Sequence, residues 1–204
     1  MKFNFKVISI LILNLLFAPD IIFSDASENT TISEILPTIE RSEDTYISKF
    51  QFEKGYTEAI NYIKEHEGFN NGYAYEDVAG YRTIGYGHVI LDNETFPERI
   101  SEAEGDKLLR RDFDKAVKAA ERETDLRGYQ KIAIAHFIFA KGVGNFIRSD
   151  LKTKIESGKS IDESLKKWCY YRSSKTGKLV RSEYSYKIRL WEIEMFNRTK
   201  TNKK

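Results

Sequence analysis

The chain has 204 residues, 41% apolar and 13% aromatic, which suffices for one well-packed domain and leaves no room for a second of full size. Its formal net charge of +2 is unevenly spread: residues 141–204 carry 17 Lys and Arg against 7 Asp and Glu, and residues 27–66 carry 4 against 8. The basic half suits an anionic partner such as nucleic acid, a membrane surface or a bacterial wall polymer, or is no more than a set of solvated helix faces. The single cysteine, Cys169, excludes an intramolecular disulfide. Between Trp168 and Tyr170 it reads as a small core hydrophobe and not as a nucleophile.

Residues 1–26 read as a secretory signal peptide. Lys2 and Lys6 give a positive start, and an apolar run from Val7 is broken only by Asn14. Ser24 and Ala26 supply the small residues of a cleavage site. The run falls short of the roughly 20 apolar residues of a membrane span, so an uncleaved anchor is the lesser reading. Residues 27–54 are polar and acidic and read as a linker, with a short helical piece near 46–52. Residues 55–198 form the main domain, and 199–204 a basic tail.

From Thr57 the pattern is helical, with Ile60 and Ile63 three apart and Gly68 as the stop. Glu67 therefore sits at a helix C-terminus, where the dipole disfavours negative charge. That is a poor place for a structural carboxylate and a reasonable one for a carboxyl that must stay protonated. Glu65, two residues earlier, points to another face. Residues 73–76 and 82–84 read as short strands joined by a turn, which brings Asp77 and Thr83 together. Gly85 and Gly87 let the chain bend before His88.

Ser101 and Glu104 form a capping box that opens a long helix with Leu108, Leu109, Phe113, Ala116 and Val117 on one face. Residues 129–140 are apolar nearly all round, and at this length form a buried core helix. Gly142 and Gly144 end it. Ser149 caps a further helix that stops near Gly158, and residues 161–168 and 184–196 are helical around a loop at 173–178.

Two carboxylates held apart, with a hydroxyl beside one, are the equipment for breaking a glycosidic bond. Alone, Asp77 reads as a turn residue and Thr83 as a strand former; the joint spacing of Glu67, Asp77 and Thr83 reverses this. His66, His88 and His136 make no His-x-x-x-His pair, which argues against a zinc site, and neither a metal nor a cofactor is expected.

The string Glu67-Gly68-Phe69, Asp77, Gly80, then Thr83-Ile84-Gly85-Tyr86-Gly87-His88 resembles the phage-type lysozymes, or endolysins, of glycoside hydrolase family 24. Leu108-Leu109 with Asp112, residues 130–139, Gly142-Val143-Gly144, and Trp168 through Arg181 extend the likeness over about 56–196. Three departures stand out. The segment between Glu67 and Asp77 is one residue longer than the commonest form, Ala140 and Lys141 replace an amide, and the family's paired arginines appear as Arg181-Ser182-Glu183.

The resemblance implies a two-lobed α+β fold, with a small antiparallel sheet over 73–90 and a larger helical lobe joined by the helix from Ser101. It implies hydrolysis of the β-1,4 bond between N-acetylmuramic acid and N-acetylglucosamine in peptidoglycan. Glu67 would be the general acid, with Asp77 and Thr83 positioning a water, an inverting arrangement with carboxyls roughly 6.5–9.5 Å apart. It also pairs His88 with Asp112 as a structural ion pair. The expected product is a secreted or periplasmic monomer that binds peptidoglycan, with no nucleic-acid partner and no stable membrane span after processing. Rival readings are a lytic transglycosylase, which needs one acid, and a non-catalytic wall-binding or cationic antibacterial protein.

Overall fold

A computed structural model describes residues 32–77, 80–172 and 176–198; the expected signal peptide and basic tail lie outside the described residues. Two compact units divide the chain, 1–43 and 44–204. The described part of the first is helical. The second holds the sheet, the remaining helices and the core.

Helix α1 (Ile32–Glu67) corrects the expected start at Thr57, and the segment expected as linker over 27–54 is helical from Ile32 on. The physical reason is tertiary. Gly55 is buried, and a β-carbon there would lie 3.0 Å from Tyr129 and 3.3 Å from Ile132, so close packing offsets the roughly 0.5–1 kcal/mol that a glycine costs in a helix interior. Thr57 does not cap; its Oγ1 donates back to the Glu53 carbonyl at 3.0 Å.

After α1 the chain makes a tight turn over Asn70–Gly72, with Asn70 and Asn71 both left-handed at φ 48° and 54°. This turn takes up the long segment before Asp77, and asparagine is among the few non-glycine residues that tolerate it. Strands β1 (Tyr75–Glu76), β2 (Arg82–Ile84) and β3 (His88–Val89) form one antiparallel sheet in that order. Tyr75 faces Thr83, and Ile84 faces His88. β3 adds a strand to the expected pair. Tyr73 lies outside β1 and bridges to Arg99 instead.

Helix α2 (Glu102–Glu123) opens on the complete capping box, with the Ser101 hydroxyl accepting from the Glu104 N–H and the Glu104 carboxylate accepting from the Ser101 N–H. Leu109, Phe113, Ala116, Val117 and Ala120 form its buried stripe, spaced three and four apart. Helix α3 (Gly128–Lys141) is buried from Ile132 to Ile138. Short helices α4 (Val143–Arg148), α5 (Asp150–Glu156) and α6 (Asp162–Lys166) follow. The expected cap at Ser149 is absent, because its hydroxyl donates backwards to the Phe146 carbonyl at 2.6 Å.

Strands β4 (Tyr170–Arg172) and β5 (Leu179–Arg181) pair as a hairpin where only a loop was expected. All six of their residues are exposed, so no burial period marks them in the sequence. Helix α7 (Glu183–Asn197) is capped by Ser182, whose hydroxyl accepts from the Ser185 N–H. The core gathers Phe113, Phe137, Phe146, Ile132 and Leu165, all with no exposed surface. Each such side chain contributes roughly 1.5–3 kcal/mol by its removal from water. The architecture is α+β, as expected.

Candidate active site

A cavity of about 450 Å³ opens beside the last residue of α1. Glu67 lines it with Tyr86 and Gly87 from the β2–β3 turn, Asp112, Lys115, Ala116 and Ala119 from α2, and residues of α3 and α4. Gly87 brings its backbone past the acid: at φ 88°, a β-carbon there would meet Glu67 Oε2 at 3.7 Å and intrude on the cavity. Lys64, one turn before Glu67, holds the helix end in place. Its ammonium donates to Asp106 of α2 at 2.6 Å and lies 5.2 Å from the Tyr86 ring.

Glu67 is exposed toward the cavity, yet its carboxyl is pushed above the usual carboxylate range. Removal from water is the main cause, and the charges of His136 and His66 oppose it. Its position at a helix C-terminus works in the same upward direction.

Asp77 ends β1. Its N–H donates to the Tyr81 carbonyl at 2.9 Å, and its Oδ1 accepts from the Tyr81 N–H at 2.9 Å. The carboxylate is thereby fixed at the mouth of the turn. Thr83 is 3% exposed, and its hydroxyl donates to the Tyr81 carbonyl at 3.1 Å. The turn thus ties Asp77 and Thr83 to one residue, Tyr81, while neither of the two lines the cavity that holds Glu67.

Tyr75 feels the charges of both Glu67 and Asp77, and sequence reasoning missed it. Burial raises its phenol above the ordinary range first, followed by the charges of Glu67 and Asp77. Its cross-strand partner is Thr83. The signal was legible: Tyr75 stands two residues before Asp77 on a strand, hence on the same face. Tyr184 is a second missed neighbour. It donates to the His66 carbonyl at 3.2 Å, and its phenol is raised by burial and then by the Glu67 charge.

His88 is buried at 6% exposure. Its Nδ1 lies 2.5 Å from Asp112 Oδ2, and its Nε2 lies 2.8 Å from Glu94 Oε2. Glu94 was not foreseen. It accepts from the Leu91 N–H and from Arg111, and its carboxyl is pushed down to about 2, chiefly by the Leu91 N–H and then by His88 and Arg111. Asp112 also accepts from Lys115 at 2.8 Å. These contacts join β3 to α2. Arg181, which matches the family's paired arginines, directs its fork to Glu183.

A separate buried cluster lies in the helical part. Glu192 of α7 has no exposed surface; its Oε1 meets His136 Nδ1 at 2.7 Å and Arg189 Nη2 at 3.1 Å. Tyr62 stacks on Trp191 at 4.4 Å and on His66 at 3.9 Å, so the cluster is layered against the last turns of α1. No group of His, Cys, Asp and Glu suited to hold a metal occurs among the described residues.

Residues 64–183 match the phage lysozyme family. A SAR-endolysin of Escherichia phage Mu is 34% identical over 124 residues, spanning 58% of this chain and 70% of that protein. Among solved structures, an endolysin from Escherichia coli O157:H7 phage FAHEc1 superposes with a TM-score of 0.59 at 23% identity, over 69% of this chain and 91% of its own. The muramidase domain of SpmX from Asticaccaulis excentricus superposes with a TM-score of 0.59 at 25% identity, over 68% and 93%. The chain therefore belongs to the phage lysozyme family and is a glycoside hydrolase of the lysozyme type.

Proposed function

We propose that this lysozyme is a secreted muramidase. It cleaves the β-1,4 bond between N-acetylmuramic acid and N-acetylglucosamine in peptidoglycan, with inversion at the anomeric carbon. Glu67 donates a proton to the bridging oxygen as positive charge grows on the sugar. Asp77 stays ionised and orients a water on the opposite face of the ring. The Thr83 hydroxyl, held by the Tyr81 carbonyl, keeps its lone pairs to accept from that water. The observation that carries the reading is Glu67, whose carboxyl is raised by loss of water at a cavity wall, together with an Asp77 carboxylate fixed across the sheet turn by the Tyr81 N–H.

Proton NMR of the first-formed reducing ends tests the mechanism. Inversion gives the α anomer before mutarotation, and Asp77→Asn is expected to lower kcat by about a hundredfold or more with little change in KM. A first-formed β anomer would overturn inversion, and 1,6-anhydro ends would replace hydrolysis by transglycosylation.

Secretion is part of the same proposal, with residues 1–26 as the targeting segment, 27–54 joining it to the catalytic part at 55–198, and 199–204 as a tail. Its support is the sequence pattern and the likeness to SAR-endolysins. Among the described residues, no helix is long and apolar enough to cross a membrane. N-terminal sequencing of protein recovered outside the cytoplasm is expected to begin near Ser27. Recovery of the full-length chain in the membrane fraction would show an uncleaved anchor instead.

A further inference from the structure

The cavity beside Glu67 is walled on its far side by one face of α2. Asp112, Lys115, Ala116 and Ala119 recur at helical spacing along that face. The two alanines leave room, and Lys115 supplies charge. Among the residues lining the cavity it is the cation, set against the carboxyls of Glu67 and Asp112. Its side chain is 63% exposed, while Asp112 holds its ammonium at 2.8 Å. An ammonium has three N–H donors, and one contact to Asp112 leaves others directed at solvent.

The surroundings accept a further negative charge. Asp112 and Glu94 are matched by Lys115 and Arg111, with His88 between the two carboxylates. A second carboxylate at Lys115 therefore meets a locally balanced cluster and not a bare acidic one. Asp112 restrains the lysine and lowers the entropy cost of its use.

We propose that Lys115 is a specificity-determining residue that binds a carboxylate borne by the glycan substrate. The inference rests on the muramidase reading and deepens it by naming the substrate group recognised. Two sources offer that chemistry: the lactyl carboxylate of muramic acid where no peptide is attached, and the carboxylates of the peptide where one is, since the peptide consumes the lactyl carboxyl in an amide bond. A glycan of N-acetylglucosamine alone has neither.

Binding to purified protein, followed by intrinsic tryptophan fluorescence, separates the cases. Three ligands are compared: soluble peptide-bearing glycan fragments, the same strands stripped of peptide by an amidase, and chitin oligosaccharides. Lys115→Gln is expected to lower the ratio of affinity for muramyl glycan over chitin by about fivefold to tenfold, as for loss of one charge-assisted contact. Lys115→Arg should restore most of the ratio, and added salt should shrink the difference. A fall only with the stripped strands assigns the lactyl carboxylate, which the amidase frees from its amide. A fall only with the peptide-bearing fragments assigns a peptide carboxylate, and a fall with both shows that Lys115 takes whichever carboxylate the strand carries. An unchanged ratio, or a loss shared equally by all three ligands, would overturn the proposal and leave Lys115 as a partner of Asp112 alone. Reducing-end release by the wild type is scored separately. Its absence would count against the proposed reaction, while the binding ratio would still decide the role of Lys115.

Discussion

Glu67→Gln is expected to reduce release of reducing ends from peptidoglycan about a thousandfold while leaving the fold intact. Glutamine keeps the shape and removes the transferable proton. The pH dependence of the wild type follows from the raised Glu67 carboxyl, held up by loss of water against the charges of His136 and His66. The acid must be protonated to act, so the alkaline limb of kcat should fall at a pH above the ordinary glutamate value of roughly 4.3.

The same shift has a stability consequence. A carboxyl that binds its proton more tightly when folded stabilises the protein below the unfolded value, and that stability is lost as pH rises through the raised folded value. Above this window the wild type holds a charge that its site disfavours, and the neutral amide does not. Glu67→Gln should therefore melt at the same temperature as the wild type or higher near neutral pH. A variant that is inactive and also less stable would place Glu67 in the scaffold and not in the chemistry. Retained hydrolysis would remove it from the mechanism.

The second large effect concerns the buried cluster. Arg189 is 1% exposed, and its Nε and Nη1 have no hydrogen-bond partner among the described residues, nor has Glu192 Oε2. Phe137 covers the guanidinium at 5.2 Å. Glu192 is therefore the counter-charge that keeps Arg189 tolerable in the core. Glu192→Ala removes it and opens a void, and is expected to cost about 3–5 kcal/mol, seen as a melting temperature lower by about ten degrees or more. The charge itself is tested by the double variant Glu192→Leu with Arg189→Met. It should recover much of the loss, because an apolar pair of similar volume carries no buried charge. If the double variant melts as low as Glu192→Ala, the loss comes from the broken contact to His136 and not from the unpaired arginine or the void.

The catalytic candidates were legible in the sequence because each rests on local chemistry. Gly68 stops a helix immediately after Glu67, and a turn after Asp77 brings back Thr83 across two strands. The capping box at Ser101 closes within four residues, and the apolar run of α3 declares its own burial. Elements whose reasons lie within a few residues need no partner to be read.

Tertiary structure decided the rest. Tyr129 and Ile132 pack so closely onto Gly55 that they leave little room for a side chain, and α1 begins far earlier than its own residues suggest. The exposed hairpin β4–β5 carries no burial pattern to betray it. Glu94 reaches His88 from a loop, and Arg189 and Glu192 enter the core opposite His136 of another helix. Nothing in the spacing of these charged residues separates them from solvated ones. What distinguishes them is the loss of water and the arrival of a partner from a distant segment, and both exist only once the helices have packed.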